Sequence, residues 1–209
     1  MKKLFLSLCA ILLLGILQVQ AQYYFSVSAS TKVVFSPGNL QYHCKNKTWR
    51  FAPNQYTVIG AANKNISSTY NGYIDLFGWG TSGWNNGNTY YQPYSNQNTT
   101  PTIDELRKNP IPAHYGPKSG SNTNLSLTGT YANADWGVYN VISGYSKGTW
   151  RTLTQSEMEY IFKTRTNADK KYSLATVNGV KGMMLLPDNW TLPSDMTFSP
   201  AQTNYTVNV

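Results

Sequence analysis

Nine carboxylates, two histidines and two cysteines are the raw material for any chemistry in this 209-residue chain. Asp75 and Asp135 come first, because each is followed by aromatics and glycine, in Asp75-Leu76-Phe77-Gly78-Trp79 and in Asp135-Trp136-Gly137. A loop aspartate of this kind can belong to a catalytic carboxylate pair, ligate calcium, or accept hydrogen bonds from a neighbouring turn. The last is the commonest role, and no run has the acidic spacing of a calcium loop. Glu157 and Glu159 are two apart and point to different sides of a helix, so they read as a cap and a solvated residue. His43 and His114 cannot by themselves make a His-rich metal site. His43 falls opposite the packed side of an alternating run and is expected to be solvated. Gly80-Thr81-Ser82-Gly83 lacks the spacing and the helix of a nucleophile elbow, and no phosphate-cradling or dinucleotide fingerprint occurs. No catalytic residue, metal or cofactor is expected.

Aromatic side chains are the stronger signal. Trp79, Trp84, Tyr90, Tyr91 and Tyr94 fall within sixteen residues, separated by Gly, Asn, Thr and Ser. Aromatics with a polar handle offer large contact area at low entropic cost, and Asn and Ser adapt their hydrogen bonding to a partner. Flat rings also stack on sugar faces, and amide side chains meet sugar hydroxyls as donors and acceptors. These five residues are therefore the expected ligand-binding set, for a glycan or a surface protein. The alternative for Trp79 and Trp84 is a place in the core, since large aromatics dominate small cores. Tyr90, Tyr91 and Tyr94 are less easily buried, with Gln92, Pro93 and Ser95 around them.

The elements that must hold these residues are mostly strands. Residues 25–28 alternate, 32–35 are β-branched and aromatic, and 40–44 alternate again after the turn Ser36-Pro37-Gly38-Asn39. Lys45-Asn46-Lys47 then returns the chain to 48–51, a hairpin in which Tyr42 and Trp49 can pack together. Cys44, on the side of Leu40 and Tyr42, reads as a small buried hydrophobe. Residues 61–147 are dominated by long polar loops, with one short helix expected over 102–108 from the capping spacing of Thr102 and Glu105. The clearest helix is 155–164. Thr154 is its N-cap, Glu157 closes a capping box, Leu153 staples onto Met158, and Met158, Ile161 and Phe162 form its buried face. Beyond it, 172–177 and 180–186 flank Asn178-Gly179, a hairpin signal.

Compartment and partners follow from composition. Lys2 and Lys3, an apolar run over 4–17 and the Val19-Gln20-Ala21 end form a secretory signal, too short to span a bilayer. Residues 1–21 are expected to be removed. Residues 22–209 then form one domain without a membrane span, located outside the cell, in a periplasm or on the outer surface. Without the two lysines the net charge of +8 falls to +6. The remaining basic residues are dispersed, unlike the one-sided concentration of a nucleic-acid binder, so nucleic acid is not an expected partner. The basic excess suits solubility or acidic surface glycans.

Several strings together carry a resemblance: 35–42 (FSPGNLQY), 48–56 (TWRFAPNQY), 74–84 (IDLFGWGTSGW), 135–140 (DWGVYN), 150–154 (WRTLT) and 177–190 (VNGVKGMMLLPDNW). They resemble a group of secreted proteins of gut Gram-negative bacteria. That group is distantly similar to the formylglycine-generating, sulfatase-modifying-factor family and to variable C-type-lectin-like proteins. Trp150-Arg151-Thr152-Leu153-Thr154-Gln155-Ser156-Glu157-Met158-Glu159-Tyr160 is similar to the Trp-Arg-Leu-Pro-Thr-x-x-Glu-Trp-Glu-Tyr element of those enzymes. The resemblance implies an α+β, C-type-lectin-like or sulfatase-modifying-factor-like domain, β-rich with long irregular loops and one or two helices. It also implies an incomplete one, because the group's pattern continues past residue 209. The family's active-site cysteine pair belongs to that continuation, and Cys44 alone cannot replace it. The expectation is a non-catalytic binding protein without formylglycine-generating activity. A carboxylate-based secreted enzyme and a non-functional fragment of a larger surface protein are the alternatives.

Overall fold

A computed structural model describes residues 23–65, 67–76, 78–84, 92–94, 126–195 and 197–201. The signal segment, the expected helix over 102–108, and Tyr90 and Tyr91 lie outside these residues. Within them the chain is α+β and β-rich, built from small sheets and short helical turns.

The central sheet runs in the order β4-β3-β5, with β3 at Leu40–His43, β4 at Thr48–Phe51 and β5 at Tyr73–Ile74, all antiparallel. The hairpin register is the expected one. Tyr42 sits opposite Trp49, their rings 4.6 Å apart, and Lys47 turns the corner in a left-handed conformation. Ile142 adds a parallel bridge on the outer side of β4, where Ser143 N–H donates to the Trp49 carbonyl and Ser143 Oγ accepts from Phe51 N–H. One face of this sheet thus builds the core: Tyr42, Cys44, Trp49, Ile74 and Ile142 are buried together, with Leu40, Phe51, Tyr70, Tyr94, Trp136 and Trp150 around them.

The opposite face departs from expectation. His43 is buried, not solvated, and so is Gln41. His43 Nδ1 accepts from Asn46 N–H, and its ring meets the Tyr73 ring edge-on at 4.8 Å. The cover is Arg50. It starts on β4, yet its guanidinium lies 3.4 Å from the centre of the Tyr73 ring on β5, so the side chain crosses the middle strand. Long charged side chains can shield a sheet face with their methylenes in this way.

A second region joins the start of the described chain to its end. Strands β1 (Phe25–Ser26) and β2 (Lys32–Val33) pair antiparallel, shorter than the alternation over 25–28 and 32–35 suggests. Strands β6 (Tyr172–Val177) and β7 (Val180–Leu185) form the expected hairpin, with Asn178 and Gly179 both at positive φ, 48° and 79°. That pair of conformations defines the primed turn that matches strand twist, and Asn-Gly adopts it at little steric cost.

The helix after Thr154 starts as expected and ends differently. Thr154 and Glu157 form a complete capping box, and α-helix covers Gln155–Glu159. From Tyr160 to Thr164 the turn widens into a π-helix, closed by Arg165 N–H donating to the Tyr160 carbonyl. The wider turn places Ile161 and Arg165 in the interior, while Met158 is left exposed and Phe162 half-buried. Met158 therefore does not belong to the buried face.

Candidate functional site

Both loop aspartates are structural, and their geometry shows how. Asp135 is the N-cap of a one-turn helix at Trp136–Tyr139, where Oδ1 accepts from Gly137 N–H at 2.9 Å and from Val138 N–H at 3.3 Å. Its Oδ2 accepts from Thr152 N–H at 2.7 Å, and the residue is 2% exposed. A capping carboxylate satisfies backbone donors that a helix start leaves unpaired. The helix must also pack closely: a Cβ on Gly137 would come within 2.2 Å of the Trp150 carbonyl oxygen. Asp75 is used similarly. Its Oδ2 accepts from Ile59 N–H at 2.7 Å and its Oδ1 from Asn63 Nδ2 at 2.7 Å, while Asn63 Oδ1 accepts from the Asp75 and Leu76 amides.

Around Asp135 lies an aromatic layer. Trp136 meets Trp79 edge-on at 5.9 Å and makes a long contact from Nε1 to Thr81 Oγ1, 3.4 Å. Trp150 is flanked edge-on by Phe51 at 4.9 Å and by Tyr145 at 5.6 Å. The inner rings rest on the core, whereas Trp79 and Tyr145 remain 39% and 51% exposed. Thr81 and Ser82 fix the turn beneath Trp79. Thr81 Oγ1 donates to the Gly78 carbonyl, Ser82 Oγ donates to the Asn133 carbonyl, and Asn140 Nδ2 donates to the Ser82 carbonyl.

The five expected ligand-binding residues therefore divide. Trp79 is presented to solvent, and Trp84 is half-buried, with its amide donating to Ser82 Oγ at 3.1 Å. Tyr94 is a support residue: half-buried against the core, its ring is 6.4 Å from that of Tyr42, and burial pushes its hydroxyl pKa up. Burial raises the Tyr42 hydroxyl and the Cys44 thiol as well, so both stay protonated. Gln92 and Pro93, which suggested an exposed setting for Tyr94, are themselves buried. Tyr145 and Trp136 are not among the five expected residues. The Asp135-Trp136-Gly137 string marks Trp136, but nothing local marks Tyr145.

Among the described residues no three His, Cys, Asp or Glu side chains cluster as a metal site would require. None of their helices is long and apolar enough to cross a membrane. Among the described residues, a shallow dent of about 10 Å³ is lined by Ser173, Ala175, Met184 and Phe198 among others, little more than the space of one water. No family model, curated protein or solved structure matches the chain.

Proposed function

We propose that the chain is an exported, non-catalytic binding protein of C-type-lectin-like or sulfatase-modifying-factor-like architecture, which recognises a glycan or a surface partner through its aromatic rim. The observation that carries this reading is Trp79, held at the edge of a packed aromatic layer by buried Thr81 and Ser82 yet 39% exposed. An aromatic at a rim, backed by buried and hydrogen-bonded residues, is what a low-entropy contact residue requires. Trp84 and Tyr145 extend the proposed surface, Tyr94 supports it, and Tyr90 and Tyr91, outside the described residues, complete the proposed set by their place in the sequence. The alternative of a carboxylate-based enzyme finds less support, because the two loop aspartates already have both oxygens engaged by nearby donors.

A glycan array with the protein from residue 22 onward tests this reading. Replacing Trp79 or the Tyr90 and Tyr91 pair by Ala should abolish the binding found while the protein still unfolds cooperatively. Binding unaffected by all three changes would remove the rim from the site. Tyr94→Ala serves as the contrast, because it should lower stability as well.

A further inference from the structure

Arg50 is arranged as an anion receptor independently of the aromatic rim. Its Nε donates to Gln41 Oε1 at 2.9 Å, and Gln41 is only 1% exposed. One face of the guanidinium stacks on the Tyr73 ring, which is braced edge-on by buried His43. Gln41 lies directly opposite Arg50 in the β3 and β4 register, and His43 opposite Tyr73 in β3 and β5, so three side chains on one sheet face position a single guanidinium. Stacking and an Nε hydrogen bond leave the outer fork, Nη1 and Nη2, without a partner among the described residues. The residue as a whole is exposed.

Local charge makes the fork more conspicuous. Residues 23–84 carry Lys32, Lys45, Lys47, Arg50 and Lys64 against a single acid, Asp75. Both Asp75 oxygens accept from Ile59 and Asn63, and among the described residues no ion pair joins Asp75 to Arg50. An arginine with a fixed plane and two free parallel N–H groups matches a carboxylate in bidentate geometry, with little rotamer entropy left to lose. Thr48 lies two residues along the same strand, on the same face and exposed, where its hydroxyl can meet a neighbouring polar group.

From these features we infer that the β4-β3-β5 face binds the carboxylate of an acidic sugar, a uronate. Arg50 is the contact residue, and Gln41 and Tyr73 are its positioning residues. The inference does not depend on the aromatic rim.

Titration with galacturonate, followed by NMR at the Arg50 Nε–H, tests it. Saturable binding in roughly the millimolar range is expected for one such contact, and galactose should give none at this site. Arg50→Gln should abolish the response. Arg50→Lys, which keeps the charge but loses the fork, should weaken binding at least about tenfold. Gln41→Met keeps the shape and removes the Nε acceptor, so affinity should fall several-fold with Arg50 still present. Full affinity in Arg50→Gln, or no saturable response in the wild type, would overturn the proposal. Tighter binding of N-acetylglutamate than of galacturonate would overturn the sugar assignment in favour of an acidic peptide.

Discussion

The central sheet and the region around β6 and β7 are held by different physics. Behind β4-β3-β5, aromatic and aliphatic side chains pack on one another, and Ile74 and Cys44 have no solvent exposure. The other region is organised by a buried cation. Arg165, its side chain 1% exposed, donates from Nε to the Ile161 carbonyl and from Nη1 to the Leu186 carbonyl and Asp188 Oδ1. Asp188 in turn accepts from Ser26 N–H through Oδ2, and its amide donates to the Tyr24 carbonyl. Lys171 reaches the Pro187 and Asp188 carbonyls. Burial pushes the Asp188 carboxyl up, but hydrogen bonding from Ser26 and the Arg165 charge outweigh it and hold it below the ordinary range. Burial alone lowers Arg165, and Asp188 opposes that. Apolar packing depends on shape and fails gradually as volume is removed, whereas a buried ion pair fails abruptly when one partner is lost.

Four single substitutions and one double replacement exploit that contrast. The largest effect should come from Asp188→Ala, which strands Arg165 in the interior and frees residues 24–26. A loss of about 3–5 kcal/mol is expected in denaturant unfolding. Joint replacement of Arg165 by Met and Asp188 by Leu should recover much of it. A loss below about 1 kcal/mol for the single change would remove the distinction between the regions. Ile74→Ala should cost about 3 kcal/mol on the sheet side through lost burial and a residual cavity.

Gly137→Ala comes next. Alanine has the better helix propensity by about 1 kcal/mol, yet the added methyl must displace the Trp150 backbone. A net loss of about 1–3 kcal/mol is expected, and a gain would mean that helix and loop separate easily.

The smallest effect concerns Glu157. Arg151 forms a two-pronged pair with it, the Thr154 backbone adds to this, and its pKa is lowered to about 2. Because the folded value lies below the unfolded one, about 4.3, this stability is present above the unfolded pKa and disappears as pH falls toward 2. Arg151 is 43% exposed, so screening limits the contribution. Glu157→Gln should therefore lower stability by only about 0.5–1 kcal/mol at pH 7. The difference from wild type should shrink between about pH 4.3 and pH 2. A difference that persists at pH 2 would place the effect in packing rather than charge.

The elements readable from the chain are those whose causes lie within a few residues. The capping box needs only Thr154 and Glu157, three apart. The β6 and β7 hairpin needs only Asn178-Gly179 between β-prone runs. The pairing of Tyr42 with Trp49 follows from a short turn and a period of two. Cys44 is buried because its strand's apolar face is buried.

Tertiary structure decided what depends on distant partners. The alternation around His43 predicts a wet face, but Tyr73 from β5 packs edge-on against the imidazole, and Arg50 reaches across from β4 onto Tyr73. The periodicity of 155–164 predicts that Met158 is inside, but a π turn and Arg165 shift the buried face by closing on Tyr160, Leu186 and Asp188. Arg165 itself looks like any solvated basic residue, since the partner that makes its burial tolerable lies 23 positions away. Asp135 likewise shows its cap locally, but its bond to Thr152, 17 residues on, exists only once the aromatic layer has assembled. Chain-local hydrogen bonds are written in spacing. Burial of a charge or an imidazole depends on which distant groups arrive to satisfy it, and only the assembled fold brings them there.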